Sequence, residues 1–327
     1  MTSNNSFGFA KSARWLLVAL QTIWPLQNAV AAPTAIADQP IFVTNNVPPN
    51  MMLALSVEWP TAVVGAYKTA YVATSRYVGY FDPTFCYKYY KSDGATVYNT
   101  PDVPLTGTRD AVAAAHEYFR PTAKTTTGTY QCDGTAFSGN FLNWATAHAL
   151  DGFRFAMTGG DRVIDTATKT VVEKSRHSGQ GGNGQFPVKD GTAVRGSVAP
   201  FGTGGNWGGL FVRVHDNGTE LNSFNSVETR GRVMQISNQN TFPPHNGTTN
   251  LTYTFLVRVQ VCDKDHATAA LRFEYNDAGD FNSCLGYPVD SLVPTVYKPV
   301  GLIQKNAAKM RFGATGYLLD SSNARAG

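Results

Sequence analysis

The sequence predicts a mixed α/β fold, and three observations support that class. An apolar run at 51–57, MMLALSV, is followed directly by residues with helical spacing. A stripe of apolar residues at 141–157 ends at two glycines, and two short strand patterns come next. Near the end of the chain, a short helix pattern at 302–310 precedes a strand pattern at 312–319. Strands that alternate with helices along the chain are typical of α/β proteins.

The first 31 residues have the pattern of a secretory signal peptide. Lys11 and Arg14 precede a short apolar stretch, and an A-x-A cleavage site ends at Ala31. Neither this stretch nor any later one reaches the length of a membrane span, so no transmembrane segment is predicted. We therefore expect export through the inner membrane and a mature domain at 32–327.

Charge and composition exclude some classes of protein. The chain has 27 Lys and Arg against 23 Asp and Glu, a net charge of +4. A balance this mild gives no reason to expect a nucleic-acid partner. Hydrophobic residues make up 43% of the chain, which indicates a folded rather than a disordered protein.

The run at 51–57 is apolar at nearly every position and is bounded by turn signals, which predicts a strand buried on both faces. Pro60 can occupy the first position of a helix. The helical stripe that follows consists of Val63, Val64, Tyr67, Ala70 and Tyr71. A strand followed at once by a helix is the beginning of a βαβ unit.

The stretch 139–165 predicts a helix of four to five turns followed by a hairpin. Asn140 is the expected N-cap, and Gly159 with Gly160 is the expected end. The strands of the hairpin are predicted at 162–165 and 170–173. His148 falls within this helix, with no Cys or carboxylate expected beside it.

The composition changes after this hairpin. Glycine-rich stretches at 178–185 and 201–209 lack the Gly-Lys-Ser/Thr of a phosphate-binding loop. Short strand patterns at 210–214 and 232–236 lie between or after them, so we interpret about 178–250 as a β-rich, loop-rich insertion. The strongest strand pattern in the chain follows at 251–262, where apolar residues alternate.

The segment 77–90, YVGYFDPTFCYKYY, is the richest in aromatic residues. Exposed rings in such a segment would suit a carbohydrate or a membrane surface. The alternative, which we favour, is that the rings pack a loop onto the sheet around Cys86.

The four cysteines are Cys86, Cys132, Cys262 and Cys284. An even number in an exported chain indicates disulfides, and three pairings are possible. Sequence-local pairs form most readily, which favours 86 with 132 and 262 with 284. Four buried free thiols are the alternative, and the absence of C-x-x-C spacing argues against a zinc site.

Several motifs together resemble the type IV pilus tip-associated adhesin and assembly family, PilC/PilY. They are FLNWAT with the glycines and the V-I-D strand after it, PPNMMLALSVEWP, GYFDPTFCY, FLVRVQVC and the terminal YKPVGLIQKNAAKMRFGATGYLLDSSNARAG. The resemblance implies a divergent von Willebrand A-like (Rossmann-like) domain. It also implies that the β-propeller that follows this segment in family members is absent from the present sequence.

In the family, the strand at PPNMMLAL leads into a D-x-S-x-S loop that holds a divalent cation. In this chain Ser56 stands at the Asp position, Glu58 at the first Ser position and Pro60 at the last Ser position. Hard cations need several oxygen ligands. Ser56 and Glu58 are therefore expected to form a degenerate loop without a working metal site, and no cofactor is predicted.

The resemblance implies a non-enzymatic protein of the pilus tip that supports pilus assembly and surface adhesion. Its expected partners are minor pilins at the tip and a host or abiotic surface receptor, and its expected location is the periplasm, the outer surface or the pilus tip. One alternative is a secreted carbohydrate-binding or adhesion module unrelated to pili. The other is a secreted hydrolase with dispersed catalytic residues, although no G-x-S-x-G motif occurs.

Overall fold

Strands and a few short helices make up the described part of the chain. The computed structural model describes residues 48–55, 64–90, 117–175, 187–201, 206–214, 231–262, 284–287 and 296–316. The strands are β1 (Asn50–Leu55), β2 (Phe85–Tyr90), β3 (Tyr118–Lys124), β4 (Phe137–Ser138), β5 (Asp161–Asp165), β6 (Thr170–Glu173), β7 (Lys189–Asp190), β8 (Phe211–Val214), β9 (Val233–Ser237), β10 (Thr252–Leu256), β11 (Arg258–Val261), β12 (Cys284–Tyr287), β13 (Val296–Pro299) and β14 (Arg311–Gly316). The α-helices are α1 (Gly139–Thr146), α2 (Ala149–Thr158), α3 (Arg195–Val198) and α4 (Leu302–Asn306).

The chain divides into the units Met1–Pro48 and Pro49–Gly327, and all of these elements belong to the second unit. Its largest sheet has six strands in the order β4-β2-β3-β11-β6-β5. Only the β3–β11 pair of this sheet is parallel. A second sheet, entirely antiparallel, has the order β10-β9-β8-β7. The fold is mixed α/β, as predicted, but these sheets are mainly antiparallel where a Rossmann-like sheet would be parallel. β5 with β6 and β9 with β10 are consecutive antiparallel neighbours, each pair joined by the short described segment between them rather than by a helical crossover.

The predicted strand at 251–262 is divided between the two sheets. β10 pairs with β9 in the four-stranded sheet, and β11 pairs with β6 and β3 in the six-stranded sheet. The change occurs at Val257, whose N–H donates to Arg232 O at 2.8 Å and whose carbonyl accepts from Lys174 N at 3.0 Å. The alternating apolar residues predicted one buried face; both faces are buried because the segment belongs to two sheets.

The predicted central helix is two helices, α1 and α2. The break lies at Ala147, whose backbone is extended, with φ −66° and ψ 132°. The chain at 64–66 pairs with the break, where Ala66 N donates to Ala147 O at 2.8 Å and Ala149 N donates to Val64 O at 3.2 Å. The apolar spacing continues across the break, which is why it predicted a single helix. Gly159 ends α2 in the left-handed conformation, as predicted.

The cap of α1 differs from the prediction. Ser138, not Asn140, is the N-cap, and its hydroxyl accepts from Phe141 N at 3.3 Å. Asn140 lies one residue inside the helix, and its side chain is fully buried. The predicted hairpin is confirmed as β5 and β6, and the terminal helix and strand are confirmed as α4 and β14.

The strand predicted at 51–57 is present as β1, but it is not buried on both faces. β1 forms a two-stranded parallel sheet with β14, and Met52 is 67% exposed. Apolar composition predicted burial, but no other described strand pairs with β1. The helix predicted from the stripe at 63–71 is also wrong where it can be described, since residues 64–76 form bends and turns. Backbone pairing of Gly65 with His148 replaces a helical ladder there.

The core is rich in aromatic side chains. Most of the aromatic residues of 77–90 are buried, with Phe81 and Tyr87 each 1% exposed. Tyr89, Phe119 and Phe137 of the six-stranded sheet form edge-to-face and tilted contacts with one another and with Phe255 of the four-stranded sheet. The segment therefore packs the core, as favoured from the sequence, rather than forming an exposed patch. Among the described residues, no helix combines the length and apolar character that crossing a membrane requires.

Candidate functional site

The predicted cation loop cannot be located, because Ser56 and Glu58 lie outside the described residues. Across the ranges that are described, no three His, Cys, Asp or Glu side chains are grouped to hold a metal ion.

All four cysteines are joined in disulfides, Cys86 with Cys132 and Cys262 with Cys284. These are the sequence-local pairs. The Cα atoms are 5.9 Å apart in the first disulfide and 5.7 Å apart in the second, within the usual range. The first connects β2 to the loop before β4, and the second connects the end of β11 to the start of β12. Each disulfide thus ties a sheet strand to a segment further along the chain, 46 positions away in the first case and 22 in the second.

An open cleft of about 400 Å³ lies beside the first disulfide. Cys86 and Cys132 form part of its wall, together with Lys88, Lys124 and Asp133. No histidine or free thiol lines it, so its chemistry is that of a small polar surface of mixed charge.

Two asparagines of α1 hold the aromatic segment in place. Asn143 accepts from Phe81 N at 3.0 Å and donates to Tyr77 O at 2.8 Å and to Phe81 O at 2.7 Å. Asn140 accepts from Tyr77 N at 2.7 Å and donates to Ser75 O at 2.8 Å. Residues three apart share one face of a helix, so both amides reach the same loop.

Close packing accompanies these hydrogen bonds. A Cβ atom added at Gly79 would lie 2.3 Å from Asn143 Oδ1, so the loop tolerates only glycine there. Trp144 donates from its indole nitrogen to Thr69 O at 2.8 Å, which fixes the preceding segment as well. The FLNWAT motif is therefore a scaffold whose polar side chains bind backbone.

A group of buried charged side chains lies where α2, β6, β9 and β11 approach one another. We call it the buried charge cluster, and its members are His148, Asp151, Glu173, Lys174, Arg232 and Arg258, each no more than 6% exposed. Burial of charges is costly unless they are paired and hydrogen-bonded, so their arrangement requires a physical explanation.

One half of the cluster centres on Asp151. Its Oδ2 accepts from His148 N at 2.8 Å, which completes a capping box at the start of α2, and its Oδ1 accepts from Ser175 N at 2.7 Å. Lys174 Nζ lies 3.4 Å from Asp151 Oδ2 and also contacts His148 Nδ1. The expectation that no carboxylate lies beside His148 is wrong, because His148 caps a second helix rather than lying within one long helix.

The other half centres on Glu173. Arg258 Nε lies 2.7 Å from Glu173 Oε1, and Arg232 Nε lies 3.1 Å from Glu173 Oε2. Glu173 and Arg258 are direct partners in the β6–β11 register, which aligns the two side chains. Neither residue was singled out in the sequence, although the spacing of His148 to Asp151 is that of a capping box and could have revealed the first half.

Two lysines of this region are deeply buried. Burial lowers the pKa of Lys174 to about 8, although the charge of Asp151 opposes the shift. Burial, with a further contribution from Lys174, lowers the pKa of Lys189 to about 7. Lys189 Nζ donates to Trp144 O in the last turn of α1, and the same nitrogen lies 5.1 Å from the centre of the Trp144 ring. A cation at this end of a helix interacts favourably with its free carbonyls.

Comparison with known proteins gives two matches. A family model described as "PilY1 homolog, small alpha/beta domain" matches residues 68–180, which include the aromatic segment, both α1 asparagines and the whole first half of the buried charge cluster. The chain is also 30% identical over 306 residues to a "Type IV pilus biogenesis factor PilY1 homolog" of Xylella fastidiosa. That alignment covers 90% of this chain and 22% of the relative, so the chain spans about a fifth of the relative's length. No solved structure matches.

Proposed function

Because this chain is PilY1-like, we propose that it acts in type IV pilus biogenesis as a non-enzymatic component. The observation that carries the proposal is the 30% identity over 90% of the chain to a type IV pilus biogenesis factor. The chemistry of the matched region agrees with a structural or binding role. Within 68–180 the buried amides of Asn140 and Asn143 bind backbone, and the aromatic rings form core.

The finer parts of this proposal concern location and partners. The chain is exported after removal of residues 1–31, and it works in the periplasm, at the outer surface or at the pilus tip. There it contacts minor pilins and supports adhesion to a surface. Two disulfides suit an oxidising compartment outside the cytoplasm. A von Willebrand A-like arrangement is part of the same proposal, supported by the parallel pairing of β1 with β14.

The test is the amount of pilin in sheared surface fractions, with total pilin measured in the same cells. The strains are the wild type, a deletion of the gene that encodes this sequence, and the deletion complemented with the unchanged gene. We expect the deletion to lower surface pilin without lowering total pilin, and complementation to restore it. Surface pilin that is unchanged in the deletion would refute a role in biogenesis.

Two further complementation strains link the result to the matched domain. Asn143→Ala removes three hydrogen bonds from the aromatic segment and should restore surface pilin poorly. Asn50→Ala changes an exposed residue of β1 and should restore it fully. Equal restoration of surface pilin by the two variants would show that the function does not depend on the α1 scaffold.

A further inference from the structure

We propose that Lys174 and Asp151 join in an intramolecular isopeptide bond, which ties the first turn of α2 to the residue after β6. The two side chains are each 1% exposed, and Lys174 Nζ lies 3.4 Å from Asp151 Oδ2. They are 23 positions apart in sequence and lie on different elements, so the bond would form a covalent crosslink within the fold.

The surroundings hold the two groups in a reactive arrangement. Ser175 N and His148 N donate to the two oxygens of Asp151 at 2.7 and 2.8 Å, which fixes the plane of the carboxyl group. Fixed donors at a carboxyl also stabilise the oxyanion that forms when a nucleophile attacks it. Because the fold already holds the two groups in this orientation, most of the entropy cost of bringing two reactants together is avoided.

The environment also favours the neutral amine that acts as nucleophile. Water is excluded from both side chains, and a low dielectric favours a neutral amine with a neutral acid over a charged pair. Burial lowers the pKa of Lys174 most, the charge and hydrogen bond of Asp151 oppose that shift, and Arg232 and Arg154 lower the pKa further. Transfer of one proton from Nζ to Oδ2 across their 3.4 Å contact gives the reactive pair.

The reaction is a condensation that needs no oxidant and no added reactant. The lone pair of Nζ attacks Cγ of the protonated Asp151 carboxyl, and an Nζ–Cγ bond forms. The oxygen held by Ser175 N, Oδ1, becomes the amide oxygen. His148 Nδ1, which contacts Nζ, takes one amine proton and passes it to Oδ2. The Cγ–Oδ2 bond then breaks, and one water leaves.

The measurement is the intact mass of the full mature chain after denaturation, reduction and alkylation of all four cysteines. We expect a mass lower than that of the linear chain by one water. Tryptic digestion should yield residues 125–154 linked to residues 170–176, with no cleavage after Lys174. A linear mass for the wild-type chain would overturn the proposal, whatever any variant does.

A second source of water loss must be separated from the crosslink. Asp151 precedes Gly152, and Asp-Gly sequences can lose water by closing a succinimide on their own backbone. A succinimide would leave residues 125–154 unlinked, and it would persist in Lys174→Arg. The isopeptide bond predicts that Lys174→Arg has the linear mass. Water loss that survives in this variant would overturn the proposal.

Asp151→Asn supplies a positive control with its own signature. The amide can react in the same geometry, but the leaving group is ammonia, so the variant should be lighter than its linear mass by one ammonia and carry the same peptide link. His148→Gln should form the link about 100-fold more slowly, which is the lower end of the rate loss expected when a general base is removed. His245→Gln, remote from the pair in sequence, should form it at the wild-type rate.

Discussion

Asn143 illustrates how one side chain can determine the conformation of a loop. Its amide makes three hydrogen bonds to the backbone of Tyr77 and Phe81, and Asn143 itself is only 1% exposed. Asn143→Ala would leave three buried backbone groups without these partners, so we expect a loss of about 3 kcal/mol or more in the free energy of unfolding. Chemical denaturation would measure it. Asn50→Ala, on exposed β1, should change stability by no more than about 0.5 kcal/mol; similar losses in the two variants would contradict this role.

The buried side chain of Lys189 should make the free energy of unfolding depend on pH. Burial lowers its pKa in the folded protein to about 7, from 10.5. Between these values the unfolded chain binds a proton that the folded chain does not. The free energy of unfolding should therefore rise with pH from about 7 to 10.5, by up to about 1.4 kcal/mol per pH unit from this group. Below pH 7 both states are protonated, and the full cost of the buried charge applies.

Lys189→Met should remove the part of this rise that comes from Lys189, and the slope should fall most clearly between pH 7 and 8, because Lys174, with a pKa of about 8, contributes its own rise only above that. Urea unfolding at several pH values from 7 to 10 would measure it. Val188→Met, at an exposed neighbouring position, should keep the wild-type slope. An unchanged slope in Lys189→Met would show that the buried lysine is not the origin of the pH dependence.

At the residue scale, the sequence identified some roles and not others. Gly159 as a helix end follows from local backbone geometry, which depends on few neighbours. Asn140 has a short polar side chain near a helix start, and an N-cap was therefore the obvious prediction, whereas no role was predicted for Asn143. Their actual partners lie more than 60 positions away in sequence, and no local pattern indicates such a contact.

At the scale of elements, Glu173 connects three strands through charge. It lies on β6 between Arg258 of β11 and Arg232 beside β9. Glu173→Gln would remove the nearest counter-charge of two buried guanidinium groups and leave Arg232 with Asp161 Oδ2 at 3.8 Å, so we expect a loss of about 3 kcal/mol or more in the free energy of unfolding. The control is Asp165→Asn, which removes the charge from a 41% exposed side chain paired with Arg162 and Lys298. Its cost should be at most about 1 kcal/mol, and equal losses would contradict the importance of burial.

The two disulfides should contribute unequally, because they close loops of different length. The sequence separation is 46 for Cys86–Cys132 and 22 for Cys262–Cys284. Replacing each pair by serines should cost about 4 and about 3 kcal/mol respectively, if the main effect is on the entropy of the unfolded chain. Denaturation of the two double variants, compared with the oxidised wild-type chain, would measure this. No loss in either variant would contradict a stabilising role for that disulfide.

Whether a segment forms a helix or a strand was more predictable than which strand or sheet it pairs with. The hairpin β5–β6 and the terminal α4–β14 pattern follow from periodicity and turn residues, which are local properties. The division of 251–262 between two sheets was not predictable, because alternation describes a strand and not the sheet that receives it. The buried charge cluster was missed for a related reason. Its members come from four elements, and only the folded chain brings them together.

At the scale of the whole molecule, the sheets differ in how well they are protected. β3 and β11 meet in the six-stranded sheet, where Phe119 and Val259 are no more than 1% exposed. β1 and β14 form a two-stranded sheet whose residues are exposed or partly exposed. Apolar composition alone predicted a buried central strand at β1, which shows that burial depends on the whole arrangement of strands.

This contrast predicts a gradient of local stability. Two-stranded sheets are marginally stable in water, whereas a strand inside a larger sheet opens only with the fold around it. Backbone amides of β1 and β14 should therefore exchange with deuterium at least about tenfold faster than those of β3 and β11. Hydrogen exchange with peptide-level mass spectrometry, on the oxidised mature chain, would measure this. Equal protection of β1 and β11 would mean that β1 is buried in solution, and the pairing of β1 with β14 would then be only part of a larger sheet.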